Sequence, residues 1–129
     1  MSKYFAPSGM PGGTLSLSYS TDARQSLVWA TVPLDEDANE AIVRGMLIAF
    51  QAFPVCDGAC NPGLNKPRDL PLLWHSEIEA SRDAVGLYAK FVPPTIADGK
   101  VFVASFGDPN YTDPWTRTGR LHEYGLLNR

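Results

Sequence analysis

The sequence predicts an all-β fold built from short antiparallel strands. Three observations carry that expectation: eleven glycines and eleven prolines among 129 residues, a lack of long charged or alanine-rich runs, and short hydrophobic stretches separated by turn-forming clusters. The apolar fraction of 44 % is that of a globular chain, and the length suits one ordinary domain.

Period and punctuation place seven strands, at residues 14–19, 27–31, 46–52, 72–76, 95–97, 101–106 and 121–126. Turn-rich segments lie between them: STDARQ, the acidic PLDEDANEA, the cysteine loop CDGACNPGLNKPRD and GDPNYTDPWTRTG. Only SEIEASRDAVGLYAK suits a helix, of one or two turns ending near Gly86. The fifth strand begins only at about Thr95 or lies where no donor is needed, because Pro93 and Pro94 have no N–H to donate to a ladder. Asp98-Gly99 then tolerates positive φ at both central positions of a type I′ turn, which makes 95–106 a hairpin. Its second strand, VFVASF, is apolar or small throughout and is expected to be covered on both faces.

A net charge of −3, a pI near 5.2 and the lack of any Lys/Arg cluster argue against a nucleic-acid partner. No window approaches the roughly 18 apolar residues of a membrane span. MSKYFAPSGMPGG lacks the apolar stretch of a signal peptide, so the chain as written is expected to stay where it is made. Cys56 and Cys60, in VCDGACNPG, are a candidate disulfide. Unpaired thiols are the next reading and a metal site the last, since two thiols are half a tetrahedral zinc set and neither His75 nor His122 stands at zinc-finger spacing.

An internal repeat orders the strands. Displacing the sequence by 74 positions lays LVWA, from Leu27, over VFVA, from Val101, and GMLIAF, from Gly45, over GRLHEY, from Gly119. Repeated sets of short antiparallel strands are what β-propeller blades look like in sequence. On that reading residues 1–12 are an N-terminal extension, 13–78 form a complete four-stranded blade with a cysteine-containing insertion, and 79–129 form an incomplete C-terminal blade. Two blades leave broad apolar faces to be covered by something else.

The run LLWHSEIEASRDAVGLYAKFVPPTIADGKVFVASF, with GRLHEYGLL near the chain end, resembles the C-terminal part of bacterial propeller proteins of the pyrroloquinoline-quinone (PQQ) repeat, quinoprotein alcohol dehydrogenase-like superfamily. Upstream, PGGTLSLS, LVWATVPLDEDANEAIVRGMLIAFQA and the Trp74 strand fit the preceding part of the same proteins. The resemblance implies a propeller of seven or eight four-stranded blades, of which this chain holds about the last two, as a fragment or a frame starting at an internal Met1. It also implies an exported parent, which would suit a Cys56–Cys60 bridge. PQQ and calcium belong to some members of the superfamily, but no segment here matches their cofactor motifs, so both are expected only in a full-length parent.

No residue is assigned a catalytic, cofactor-binding or metal role. His75 and Glu77 share a strand face, as an acid-base pair requires, yet a polar edge-strand role suits His75 better. His122 and Glu123 point to opposite faces. Arg82, Asp83 and Ser81 suit pairing or backbone capping, and Lys90 a local ion pair or an edge position. Asp35, Glu36, Asp37, Asn39 and Glu40 lack the spacing of a calcium loop and read as solvated acids. Asp57 to Asn61 and Asp108 to Asp113 offer oxygens without a closed ligand set. Tyr111 and Trp115 could stack on a sugar, with packing over a blade edge as the plainer role. The expected function is therefore that of a propeller fragment, a scaffold or interaction surface whose partners are the remaining blades or another protein. The alternatives are an architectural part of a PQQ-dependent quinoprotein oxidoreductase, and a free-standing β-sandwich that binds a ligand or carbohydrate.

Overall fold

A computed structural model describes residues 9–22, 25–53, 70–106 and 119–125. Cys56, Cys60, Tyr111 and Trp115 lie outside these residues. The described chain is antiparallel β with a single turn of helix: β1 (Thr14–Ser18), β2 (Leu27–Pro33), β3 (Gly45–Gln51), β4 (Leu72–His75), α1 (Ala80–Asp83), β5 (Thr95–Ala97), β6 (Lys100–Ser105) and β7 (Arg120–Tyr124). Each expected strand is present, shifted by at most two residues at either end, and the helix is one turn that stops short of Gly86.

The strands form two meanders, a four-stranded sheet in the order β1-β2-β3-β4 and a three-stranded sheet in the order β5-β6-β7. Between them lies one shared core. Leu47, at 0 % exposure, meets Val85, Val101 and Val103, with Trp29, Trp74, Ile96 and Tyr124 packed around them. Large apolar side chains from six strands, β2 to β7, thus converge from both sheets, and fully burying one contributes about 1.5–3 kcal/mol. A second cluster of Ala30, Val32, Met46 and Ile48 occupies the opposite face of the four-stranded sheet, with Leu34, Phe50 and Leu72 against it. Alternation along β2 and β3 therefore feeds two apolar faces, as in a sheet covered on both sides. An irregularity at Ala49/Phe50 sets Ala49 opposite Trp74 but Phe50 opposite Leu72. The extra residue, Leu73, has no partner in β3, as in a bulge, and is 52 % exposed.

The segment around Leu87 fastens one end of the sheets together. Gly45 N–H donates to the Gly86 carbonyl at 2.7 Å and Tyr88 N–H to the Val43 carbonyl at 3.0 Å, while Phe106 N–H donates to the Leu87 carbonyl at 3.0 Å. A short stretch of chain is thus bonded to β3's beginning on one side and to β6's end on the other. A Cβ at Gly45 would lie 3.2 Å from the Tyr88 Cα, so a side chain there would require the Tyr88 backbone to give by a few tenths of an ångström.

The other tie is made by hydroxyls. Thr14 Oγ1 and Thr31 Oγ1 are 2.6 Å apart, and they lie 3.0 and 3.1 Å from the Val92 carbonyl oxygen. Ser16 Oγ donates to the Pro94 carbonyl. Pro93 and Pro94 cannot enter a ladder as donors, so the carbonyls around them are met by side chains. The effect on β1 is an inverted strand: its Ser and Thr positions turn inward, while Leu15 and Leu17 are 64 % and 58 % exposed.

In the hairpin, Asp98 and Gly99 have φ of 49° and 72°, the signs that a type I′ turn demands at both central positions. Burial in β6 departs from expectation: Val101, Val103 and Ser105 are buried, but Phe102 and Ala104 are only half-covered. The internal repeat also holds only in part. Trp29 opposes Ala49 in the first sheet, so a true copy would set Val103 opposite Glu123, yet Val103 opposes His122. That one-residue slip turns β7 over relative to β3. Leu121, the counterpart of Leu47 in the repeat, is 70 % exposed, whereas Leu47 is fully buried.

Two expectations follow for stability, both read from chemical denaturation. Gly99→Ala lowers it by about 1 kcal/mol through the positive φ alone, since no atom lies within 4 Å of a Cβ built there. Gly125→Ala, whose nearest contact is 3.6 Å away, is close to neutral. At the hydroxyl tie, Thr14→Val and Thr31→Val each cost about 1 kcal/mol, because Val92 keeps one donor in either single variant. The double variant strips the carbonyl of both and costs more than the two singles together.

Candidate functional site

The residues singled out for chemistry are dispersed by the fold. Glu77 forms an ion pair with Arg44, Nη1 to Oε2 at 3.6 Å, rather than a dyad with His75. His75 lies opposite Ile48, and its Nδ1 is buried without a hydrogen-bond partner. His122 and Glu123 do part to opposite faces: Glu123 reaches out to Lys100 at 2.6 Å, and His122 turns inward. Arg82 and Asp83 bond each other through two contacts of 2.6 Å. In the acidic loop, Asp35 is held by Arg44 in a fork of two 2.9 Å bonds, and Asp37 accepts from the Asn39 N–H at 2.8 Å. These contacts use the Asp35 and Asp37 carboxylates to shape the loop, and among the described residues no three His, Cys, Asp or Glu side chains gather as metal ligands would.

What the fold does assemble is a polar cluster at the edge of the inter-sheet core. Ser105, 3 % exposed at the end of β6, lies with its Oγ 2.9 Å from Nε2 of His122 on β7. The ring also bonds the Val85 backbone. With the imidazole donating to that carbonyl, its Nε2 is left to accept the Ser105 hydroxyl proton. Tyr124 stacks beside His122 at 6.3 Å and meets the Trp74 ring edge-on at 5.8 Å, and its hydroxyl donates to the Asp83 carbonyl at 2.9 Å. Burial, with Asp83 and Glu77 nearby, pushes the Tyr124 phenol far up, so it is a neutral donor.

A serine hydroxyl on an imidazole is the first half of a nucleophile-base pair. Here the ring is oriented by a backbone carbonyl and not by a carboxylate, and the serine is closed off from solvent. The arrangement is suited to joining β6, β7 and the Val85 segment, three parts of the chain whose polar groups would otherwise be buried unmet. Sequence reading missed it because Ser105 and His122 are diagonal neighbours across two strands, and a long intervening loop conceals their register.

Burial, reinforced by the positive charge of Arg120, holds the His122 pKa below its ordinary value of 6.5, against the opposing pull of the Val85 carbonyl. A folded-state pKa lowered in this way contributes stability that is fully present above 6.5 and is lost as pH falls through the folded value. Thermal melts are therefore expected to move down on acidification below about pH 6.5, and His122→Gln to flatten that dependence while lowering the melting temperature at neutral pH.

Compared with family models, with curated proteins and with solved structures, the chain matches none, and its function is read from its own residues.

Proposed function

We propose that this chain is a non-catalytic β scaffold that presents an apolar sheet face to other protein, in the manner of terminal blades of a PQQ-repeat-like propeller. The observation that carries the reading is the inverted β1. Leu15 and Leu17 stand outward beside Ala30 and Val28, their partners in β2, and continue the apolar face formed by Ala30, Val32, Met46 and Ile48. A strand that turns its hydroxyls inward and its leucines outward leaves apolar surface that water does not favour. The meander order of both sheets, each strand beside its sequence neighbour, suits blades. The face-to-face packing around Leu47 suits neighbouring ones. In this role the chain's partners are further sheets of the same architecture, and PQQ with calcium would concern only a larger parent.

A second reading, a self-contained β-sandwich that binds ligand, is favoured by the Gly86–Tyr88 tie, which bonds the two sheets to one another at one end. The two readings part in solution. For the scaffold, the purified chain self-associates or binds a hydrophobic dye strongly, and Leu15→Ser with Leu17→Ser abolishes both without loss of the fold by circular dichroism. A dye-silent monomer that melts cooperatively, with a melting shift on a glycan panel, would transfer support to the sandwich.

A further inference from the structure

We propose that the groove between the β2–β3 loop and the Tyr88–Lys90 segment binds a small apolar carboxylate, an aromatic or branched hydrocarbon body bearing one anionic group. This site is independent of the scaffold role. The groove is open to solvent and offers about 470 Å³, within the range of small-molecule sites. Its base is apolar and buried, with Ala38 at 2 %, Val43 at 6 % and Tyr88 at 5 % exposure packed as one cluster. At its mouth two large apolar side chains stand open, Ile42 at 63 % and Phe106 at 54 % exposure.

The walls are built before any ligand arrives. On the loop side, Ala38 N–H donates to the Met10 carbonyl at 2.9 Å, Ala41 N–H to the Asp37 carbonyl at 3.0 Å, and the Arg44–Asp35 fork closes the loop's neck. On the other side, the Tyr88 N–H bond to Val43 fixes the two walls to each other, and the Tyr88 hydroxyl is anchored on the Gly12 carbonyl at 3.0 Å. A site already held in shape loses little ordering entropy on binding.

Charge selects the ligand class. Lys90 lines the cavity and is partly buried, and among the described residues no acidic side chain pairs with it. Glu40 also lines the cavity but is exposed, so water serves its carboxylate. A lysine with a partly covered stem and no ion-pair partner among the described residues gains more from an arriving anion than a fully exposed, hydrated carboxylate gains from an arriving cation.

The test is a titration of the 15N-labelled full chain with hydrocinnamate, the alcohol of the same skeleton and the corresponding amine. Hydrocinnamate is expected to shift resonances of residues 38–43, 88–90 and 106 saturably, with a Kd of order 1 mM for a ligand of this size. Lys90→Gln should weaken it by about tenfold, the value of one charge-assisted bond, and Ile42→Ser should weaken all three probes alike. Each variant's amide spectrum reports that the fold is intact. Equal or tighter binding of the alcohol or amine, shifts that do not saturate or fall elsewhere, or an unchanged affinity in Lys90→Gln would each overturn the assignment.

Discussion

The structure depends on how the chain deals with two adjacent prolines. Pro93 and Pro94 remove two backbone donors at the point where the second sheet must be joined to the first, and the neighbouring carbonyls of Val92 and Pro94 still need hydrogen bonds. Hydroxyls from Thr14, Ser16 and Thr31 meet them. Because side chains alternate along a strand, committing Thr14 and Ser16 inward commits Leu15 and Leu17 outward. The inward hydroxyl row, the outward leucines and the position of the hairpin thus share one cause. Deeper in, Trp29 shows the same economy of polar groups, for its indole N–H donates to Ser18 Oγ at 3.1 Å while its rings join the shared core.

Much of the fold was legible in the residues. Strand positions followed from short hydrophobic runs and their punctuation, and the Asp98-Gly99 turn from the φ tolerance of those two residues. What the pattern could not convey was which face of a strand is buried. TLSLS alternates equally well with either set inside, and only the distant Val92 and Pro94 carbonyls decide between them. Register was hidden for the same kind of reason. The repeat between LVWA and VFVA, and between GMLIAF and GRLHEY, orders β2-β3 and β6-β7 alike, yet pairing differs by one residue because loops of different content connect them.

The candidate sites were less legible than the fold. Glu77 was considered as half of an acid-base pair with His75 and Asp35 as a solvated acid, yet both are engaged by Arg44, a residue whose reach spacing does not reveal. The Ser105–His122 pair and the groove beside Lys90 are products of tertiary placement, made by strands and loops that no short motif connects. Lys90 illustrates the limit well: a local ion pair or an edge position was the expectation for a lysine between Ala89 and Phe91. Its surroundings are instead a loop some fifty residues upstream, an apolar base and open solvent.

The hydroxyl tie also bears on the order in which the molecule is made. Thr14 and the Val92 carbonyl are 78 residues apart in the chain, and Thr31 and Val92 are 61 apart. The four-stranded meander can pair strand by strand as it leaves the ribosome, since each strand meets its sequence neighbour. Its inward hydroxyls have nothing to hold until the proline pair emerges. During that interval the nascent sheet shows leucines on one face and unserved hydroxyls beside an uncovered Leu47 on the other, so the period between synthesis of β4 and of the hairpin is when a holding chaperone would matter most.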